Sequence, residues 1–294
     1  MIGALAAPDA AIVARDVRRA LAEDLGSGDV SGELIEATRR AQALLHAREP
    51  GVLAGRDWFD GCFRALDAQI EIAWHCAEGH AFAAGTELVT ITGNARALLA
   101  AERSALNFLQ TLSATATVTR AAVAQIADLP TRILDTRKTL PGLRAAQKYA
   151  VRVGGGMNHR QGLYDQYLIK ENHILAAGGI AAACAQARRA RPDLLLEVEV
   201  ENDAELEQAL AAGADRILLD EFDLPAMRRA VATVHGRATL EASGGIDPLH
   251  LREVALTGVD FISVGALTKH VRAIDLSLRL QVDPTSANQL PVHG

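Results

Sequence analysis

The chain has 294 residues, of which 49% are hydrophobic and only 4% aromatic, so it can bury a large core and should form one large or two unequal domains. Its formal net charge of −6 argues against a globally basic surface of the kind that binds nucleic acid or an anionic membrane. Three cysteines without C-x-x-C spacing argue against a disulfide framework or a structural zinc site, and they favour a reducing, cytoplasmic compartment.

The first part of the chain predicts an α+β domain. No basic region precedes the N-terminal apolar run, so we expect a surface helix that starts near Pro8 and Asp9 rather than a signal peptide or a membrane span. A long helix over 98–117 follows from the spacing of its leucines and from the absence of glycine and proline. Strands are predicted over 42–46, 70–75 and 85–92, and a short helix over 57–67.

The rest of the chain predicts a parallel sheet. Short β-rich runs alternate there with helical segments, which is typical of right-handed β-α units. The predicted strands cover 132–136, 167–172, 194–200, 216–220, 238–245 and 261–266. Six strands in about 140 residues favour a small, incomplete β/α barrel over an open sheet.

One stretch, from Thr136 to His173, is rich in basic residues. The chain has only four lysines among its 30 basic residues, and three of them, Lys138, Lys148 and Lys170, fall here. Lysine is a compact point charge, whereas arginine is a planar fork, so its use here is chemically distinctive. The stretch therefore predicts a pocket for a small ligand with several negative charges.

Polar residues, together with three glycines, also lie at or just beyond the predicted strand ends. They are Asp135, Arg137, Lys138, Lys170, Glu171, Asn172, Glu199, Glu201, Asp220, Glu221, Glu241, Ser243, Gly244, Gly245 and Gly265. In barrels this face builds the active site. The segments ASGGI at 242–246 and SVGALT at 263–268 fit the phosphate site made by the last loops of a barrel, although glycine turns after strands are also ordinary loop chemistry.

Eight segments carry a family resemblance. They are LAEDLGSGDV at 21–30, ERSALNFL at 102–109, DTRKTLPGLR at 135–144, KYAVRVGGGMNHR at 148–160, LIKENH at 168–173, EVEV at 197–200, LLD at 218–220 and SGG at 243–245. In this order they resemble quinolinate phosphoribosyltransferase, the carboxylating nicotinate-nucleotide pyrophosphorylase of NAD biosynthesis. The resemblance extends over most of the chain.

The resemblance implies a fold, a reaction and an assembly. The fold is an N-terminal α/β sandwich domain over 1–115, rejoined by the segment from about 270 to 294, plus a partly open β/α barrel over 116–269. The reaction joins quinolinate to phosphoribosyl pyrophosphate with Mg²⁺ and yields nicotinate mononucleotide, pyrophosphate and CO₂, so the protein would be a glycosyltransferase of the pentosyl class. Family members are dimers or larger homo-oligomers with shared active sites.

The resemblance also implies a set of substrate-binding residues. By motif they are Arg103, Thr136, Arg137, Lys138, His159, Arg160, Lys170, Glu199, Asp220, Ser243, Gly244, Gly245, Val264, Gly265 and Ala266. Catalytic roles are expected for Lys138, Lys170, Glu199 and Asp220. No metal site made by the protein alone is expected, because the histidines lack the spacing of metal ligands.

Chemistry assigns roles within this set. Arg137, His159 and Arg160 suit the two carboxylates of quinolinate, because a planar fork or a charged imidazole holds a carboxylate in a fixed plane. Lys138 and Lys170 would reach the carboxylates of quinolinate as well as the pyrophosphate group. Glu199 and Asp220 would stabilise positive charge at the ribose and hold its hydroxyls or water on Mg²⁺.

Other residues have a simpler interpretation. Lys148 and Arg144 are expected to be surface charges or helix-end partners. At most two of Glu197, Glu199 and Glu201 should be functional, because they alternate on one strand face. His173 is as consistent with a turn as with binding.

The glycine run 154–156 predicts a mobile loop that closes over substrate, with a flexible linker as the alternative. Arg103, on the long predicted helix and far from the barrel in sequence, resembles the family's arginine that is donated across the dimer interface.

Two other functions remain open. A related phosphoribosyltransferase could take nicotinate or another heterocycle, as in the paralogue associated with molybdenum transport, but a monocarboxylate would need fewer cations than Arg137, Arg160 and the lysines provide. A non-catalytic barrel that binds phosphorylated metabolites would not need Glu199 and Asp220, so their presence disfavours it.

Overall fold

The structure is a computed structural model that describes residues 7–281 and forms two compact units. One unit contains the chain up to residue 117 and again from 271, and the other contains residues 118–270. The sequence loses its periodicity after about residue 283, which predicts a disordered tail, but this part of the chain lies outside the described residues. Among the helices that are described, none combines the length and the apolar character that crossing a membrane requires.

The helices and strands follow one another along the chain, with a short 3₁₀ turn at Gly32–Leu34. In chain order they are α1 (Ala10–Leu25), β1 (Arg40–Ala47), β2 (Gly51–Val52), α2 (Arg56–Leu66), β3 (Glu71–Trp74), β4 (Ala81–Phe82), β5 (Glu87–Asn94), α3 (Ala95–Ala124), β6 (Arg132–Leu134), α4 (Arg144–Val153), β7 (Tyr167–Ile169), α5 (Glu171–Ala177), α6 (Ile180–Ala190), β8 (Leu196–Val200), α7 (Asp203–Ala211), β9 (Arg216–Asp220), α8 (Leu224–Val234), β10 (Thr239–Ser243), α9 (Leu251–Ala255), β11 (Phe261–Ser263), α10 (Ala266–Lys269) and β12 (Leu276–Gln281).

The first unit is built on an antiparallel sheet with the order β12-β1-β5-β3. Residues 41, 43, 45 and 47 of β1 are buried and alternate with more exposed ones, as expected for a strand with one face on a core. Helix α2 buries Trp58, Phe59 and Phe63. The Trp58 indole donates to the buried carboxylate of Asp16 on α1, which satisfies both polar groups.

The second unit is built on a six-stranded sheet with the order β6-β11-β10-β9-β8-β7, in which every neighbouring pair is parallel. Residue 157 adds a parallel bridge to Leu134 on the free side of β6. Strands lie about 4.8 Å apart, so β8 would be about 24 Å from this bridge in a flat sheet. Yet His159 Nε2 lies 3.0 Å from Glu197 Oε2 on β8. The sheet is therefore curled into a barrel.

The two faces of this sheet have different chemistry. The outer face is apolar and packs against the surrounding helices, with Val198, Ile217 and Leu240 among its buried residues. The inner face carries Glu197 and Arg216 side by side on β8 and β9. A charged interior departs from the usual barrel, in which branched apolar side chains fill the centre.

The predicted architecture is confirmed: the chain is α/β, with a small sheet unit and a parallel-sheet barrel unit. Each of the six predicted barrel strands contains an observed strand. The barrel is partly open, because within residues 7–281 no ladder joins β7 to the bridge at residue 157. Helix α1 begins as predicted, since the Asp9 side chain caps it by accepting from Ala11 N–H at 2.8 Å.

Candidate active site

The carboxyl ends of the parallel strands form one rim of the barrel, and they carry most of the predicted site residues. Residues 136–138 follow β6, 159–160 follow the bridge beside it, and Lys170 follows β7. Glu199 lies near the end of β8 and Asp220 ends β9. Ser243 ends β10 and is followed by Gly244 and Gly245, while Val264, Gly265 and Ala266 follow β11. Parallel strands place all of these at the same end of the sheet.

Three cations on this rim have no counter-ion in the described part of the chain. Within residues 7–281, the side chains of Arg137, Lys138 and Arg160 form no ion pair. Arg137 Nε is buried without a hydrogen-bond partner. Burial lowers the pKa of Arg160, and the nearby charge of Arg137 lowers it further. Such cations are expected where an anionic ligand completes the site.

Arg144 braces the two segments that carry these arginines. It begins α4, and its guanidinium donates to the carbonyls of Arg137 and Gln161 at 3.4 and 3.2 Å and to Thr139 Oγ1 at 3.2 Å. Arg144 lies at the end of a helix, as expected. Its hydrogen-bond partners, however, belong to the loops of the site and not to the helix.

Lys170 and Glu199 form an ion pair across neighbouring strands. The lysine side chain is 42% exposed, whereas the carboxylate is nearly buried. Burial raises the pKa of Glu199, while Lys170 lowers it and the nearby Asp220 raises it again. The rim thus places one cation beside two carboxylates.

Glycine is required at one turn of the rim and permits a close contact at another. Gly244 has φ +86°, and a Cβ there would lie 2.5 Å from the backbone nitrogen of Glu221. A Cβ on Gly265 would lie 3.0 Å from Lys138 Cδ and 3.5 Å from Thr136 Oγ1. These glycines let the loops after β9 and β10, and those after β6 and β11, approach closely.

Comparisons with known proteins agree with this geometry. The model of the "Quinolinate phosphoribosyl transferase, C-terminal domain" matches residues 115–279, and that of the N-terminal domain matches residues 29–113. The chain belongs to the quinolinate phosphoribosyltransferase family. The predicted resemblance is confirmed.

Several relatives of this phosphoribosyltransferase are similar over nearly their whole length. A probable nicotinate-nucleotide pyrophosphorylase (carboxylating) of Bacillus subtilis is 40% identical, covering 91% of this chain and 93% of that protein. The solved nicotinate-nucleotide pyrophosphorylase from Francisella tularensis is 46% identical with a TM-score of 0.89, covering 94% and 99% of the two chains. NadC from Streptococcus pyogenes is 38% identical with a TM-score of 0.90 and the same coverage.

The expectation that Lys148 lies on the surface is wrong. Its side chain is 1% exposed and forms an ion pair with the fully buried Asp135. Lys148 Nζ also donates to the carbonyl of His159 at 2.8 Å. The helical spacing of Lys148 was right, but the face of α4 that carries it turns inward, and a buried charge is tolerated because it is paired.

Two carboxyl groups inside the barrel, Glu197 and Glu241, are fully buried, which their sequence positions did not predict. Each lies near His159, whose Nε2 is 3.0 Å from Glu197 Oε2 and 3.5 Å from Glu241 Oε2. Arg216 Nη1 lies 3.3 Å from Glu241 Oε2. The sequence gives Glu241 a place at a strand end and Glu197 a place in an alternating strand, but neither pattern shows which face of the sheet is buried.

Burial changes the titration of this pair. It raises the pKa of Glu197 to about 7 and, together with the nearby Glu197 carboxylate, raises that of Glu241 to about 8. The ligand atoms of these two residues and of His159 lie within 4.8 Å of one another, which is close enough to hold a metal ion. Arg216 already contacts Glu241 Oε2, and the amide of Gln166 already contacts Glu197 Oε2. We therefore infer that the two carboxyl groups bind protons and not a metal ion.

The glycine run at 154–156 makes packing contacts with helices α3 and α4. Gly154 caps α4, and its carbonyl accepts from Arg120 Nε at 3.1 Å. A Cβ on Gly156 would lie 2.9 Å from both Thr119 and Val151. Close packing gives Gly154 and Gly156 a structural role, and the expected mobile loop stays a prediction.

Local hydrogen bonds give His173 and Asn202 roles in capping helices. His173 Nδ1 accepts from the backbone N–H of Lys170 at 3.1 Å, so it helps to cap α5. The cap of α7 is Asn202, whose side chain accepts from Glu205 N–H, whereas Glu201 is exposed. Arg103 is exposed on α3 and belongs to the first unit, so its predicted role across an interface stays a prediction.

Proposed function

We infer that this chain transfers the phosphoribosyl group of phosphoribosyl pyrophosphate to quinolinate, with loss of CO₂, to give nicotinate mononucleotide and pyrophosphate for NAD biosynthesis. The observation that carries this function is the group of three cations without counter-ions, Arg137, Lys138 and Arg160, on the rim that also holds Lys170. Both substrates are polyanions that repel each other, and cations are needed to bring them together.

Quinolinate binds through the guanidinium groups of Arg137 and Arg160. A guanidinium can hold a carboxylate with two parallel hydrogen bonds, and two guanidiniums match the two carboxylates of this substrate. Their mutual repulsion, which contributes to the lowered pKa of Arg160, is relieved when the dianion lies between them.

Phosphoribosyl pyrophosphate binds on the side of the rim formed by Lys138 and the glycine turns. The stem of Lys138 lies against Gly265, at the start of the loop that follows β11. Gly244 and Gly245 have positive φ angles in the loop after β10, and backbone N–H groups of such glycine turns can bind phosphate oxygens. Mg²⁺ arrives as part of this substrate, and it would reduce the repulsion between Glu199 and Asp220 that contributes to the raised pKa of Glu199.

Glu199 and Asp220 act during the transfer. Loss of pyrophosphate from the anomeric carbon develops positive charge on the ribose, which nearby carboxylates stabilise. Lys170 pairs with Glu199, so the carboxylate that stabilises this charge is held in place by a cation. No covalent intermediate on the protein is needed.

Decarboxylation follows from the chemistry of the product. The transfer makes a pyridinium nitrogen, whose positive charge stabilises the electron pair left on the adjacent ring carbon when the carboxylate departs as CO₂; that carbon then takes a proton from solvent once CO₂ has left. Arg137 and Arg160 hold the ring in place during this step, and the protein otherwise excludes water.

Turnover of two acids tests this function. Purified protein is mixed with phosphoribosyl pyrophosphate, Mg²⁺ and either quinolinate or nicotinate, and mononucleotide and CO₂ are measured. We expect product from quinolinate, with nicotinate poorer because it lacks the second carboxylate. Equal or better turnover of nicotinate would instead support the related phosphoribosyltransferase. No turnover of either acid would support a barrel that only binds phosphorylated metabolites.

We also propose a cytoplasmic homo-oligomer, at least a dimer, in which Arg103 of one subunit completes the site of another. Exposure of Arg103 on α3 leaves its guanidinium available to a second copy. Free thiols at all three cysteines fit a reducing compartment.

Mixing two inactive variants tests the shared site. Arg103→Ala and Lys138→Ala damage different halves of such a site, so a mixed dimer has one intact site. Random mixing should restore about a quarter of the wild-type activity. A mixture that remains as inactive as its components would show that each chain builds its own site.

A further inference from the structure

His159 has a hydrogen-bond partner for every polar atom. Its backbone N–H donates to Asp135 Oδ1 at 2.9 Å, and its carbonyl accepts from Lys148 Nζ at 2.8 Å. Ring atom Nδ1 accepts from the backbone N–H of Arg160 at 2.8 Å, and Nε2 lies 3.0 Å from Glu197 Oε2. The residue is buried, so its ring has no free atom for a substrate.

These contacts fix which nitrogen carries the proton. A backbone N–H points at Nδ1, so Nδ1 must offer its lone pair, and the proton of the neutral ring lies on Nε2. From there it is donated to Glu197. Burial lowers the pKa of His159, which agrees with a neutral ring. A neutral imidazole attracts a carboxylate poorly, which conflicts with the expected role of a charged His159.

The contact between His159 Nδ1 and the N–H of Arg160 leads directly to the substrate. Arg160 forms no ion pair within residues 7–281, and the charges that affect it come from Arg137, Glu197, Asp165 and Glu199. Its guanidinium can reach a ligand only in the direction set by its backbone. The ring of His159 holds that backbone in place.

The other side of His159 is held by a buried ion pair. Asp135 is fully buried, and besides Lys148 its carboxylate accepts from Asn158 Nδ2 at 2.6 Å. Asn158 Nδ2 also lies 2.8 Å from the carbonyl of Lys148. Residues 158–159 are therefore fixed from behind by Asp135 and Lys148, and from inside the barrel by Glu197.

We propose that His159 and Glu197 are positioning residues for Arg160. Glu197 holds the imidazole, the imidazole holds the backbone N–H of Arg160, and the guanidinium is thereby aimed at a carboxylate of the pyridine substrate. This inference rests on the proposed function, because it takes quinolinate as the ligand of Arg160. It moves His159 out of direct contact with the substrate.

Two substitutions of Glu197 separate hydrogen bonding from charge. Glu197→Met keeps the length of the side chain and removes the acceptor for Nε2–H, whereas Glu197→Gln keeps a carbonyl acceptor and removes only the charge. Misplacing a binding group by about 1 Å can cost about a hundredfold. We expect Glu197→Met to raise KM for quinolinate by at least about tenfold, with KM for phosphoribosyl pyrophosphate and kcat within about twofold.

We expect Glu197→Gln to stay within about twofold of the wild type in all three constants. Equal loss in both variants would show that Glu197 acts by its charge, and no loss in Glu197→Met would show that it positions nothing. Either result overturns the proposal. A protein that turned over nicotinate only would contradict the proposed function, yet the same comparison of KM values could still be made with nicotinate.

Nitrogen NMR of the wild-type protein tests the ring itself and does not depend on a variant folding. The spectrum of His159 should show a neutral ring with the proton on Nε2, and it should stay so when quinolinate saturates the site. A charged ring, or a proton on Nδ1, would contradict the proposed hydrogen bond to Arg160. A change to the charged form on adding quinolinate would show direct binding by His159.

Discussion

At the residue scale, the charged side chains fall into two groups that the sequence could not separate. Within residues 7–281, Arg137 and Arg160 have no counter-ion, and they face the proposed substrate. Lys148 lies in the same basic stretch but forms an ion pair with Asp135. Sequence distance does not tell which of them is paired, because the partner comes from another strand. The sequence therefore predicted that this stretch binds an anion, but it could not predict which of its cations face the ligand and which are paired inside the protein.

The buried carboxyl groups make stability depend on pH. The folded protein holds protons on Glu197 and Glu241 up to about pH 7 and about pH 8, whereas the unfolded chain releases them near the ordinary value of 4.5. The folded state therefore binds more protons between these limits, and its stability falls as pH rises through this window.

Glu241→Gln should remove part of this dependence. The amide keeps the shape of a protonated carboxyl group and cannot ionise. Thermal unfolding followed from pH 5 to pH 9 should show a shallower loss of stability in the variant, which becomes more stable than the wild type at pH 9. Parallel curves for the two proteins would mean that Glu241 does not hold a proton in the folded state.

At the element scale, strands were easier to predict than packing. The predicted strand 216–220 coincides with β9, and the predicted strand 261–266 contains β11, because a sheet buried under helices needs mostly apolar strands. The packing of Gly156 against Thr119 and Val151 could not be predicted, because these neighbours are brought together by the tertiary fold. The strand β12 was not predicted: the resemblance implied only that the segment from about residue 270 rejoins the first domain, and apart from Leu276 the residues of β12 are partly buried or exposed.

The turn after β10 offers a test of this packing. In Gly244→Ala the new methyl group would lie 2.5 Å from the backbone nitrogen of Glu221, so the loops after β9 and β10 must separate. We expect a loss of activity of at least about tenfold, measured as kcat/KM for phosphoribosyl pyrophosphate.

Gly213→Ala is the matched control. Gly213 also has a positive φ, of +75°, but a Cβ there meets nothing within 4 Å. Both variants therefore carry backbone strain, and only Gly244→Ala moves the rim. Similar activity in the two variants would show that strain, and not the position of the loop, limits the reaction.

At the scale of the whole molecule, the barrel unit of an acidic chain places two of its four lysines, Lys138 and Lys170, on the rim where a polyanion would bind. The net charge of −6 gives no sign of such a site, because the excess of cations is local. Topology explains how it forms: parallel strands bring residues from 136 to 266 to one rim, although they are far apart in sequence. The rim was predictable from strand ends, whereas the charged interior beneath it needed three-dimensional contacts.

The central claim is that cations on this rim bring two polyanions together. The most direct measurement is kcat/KM for quinolinate in Lys138→Ala and Lys170→Ala, with the exposed Lys269→Ala as control and thermal unfolding as a check on the fold. A charge-assisted hydrogen bond contributes about 1.5–3 kcal/mol, so we expect each of the first two variants to lose at least about tenfold while the control and the unfolding temperatures are unchanged. Wild-type kcat/KM in either Lys138→Ala or Lys170→Ala would contradict the account.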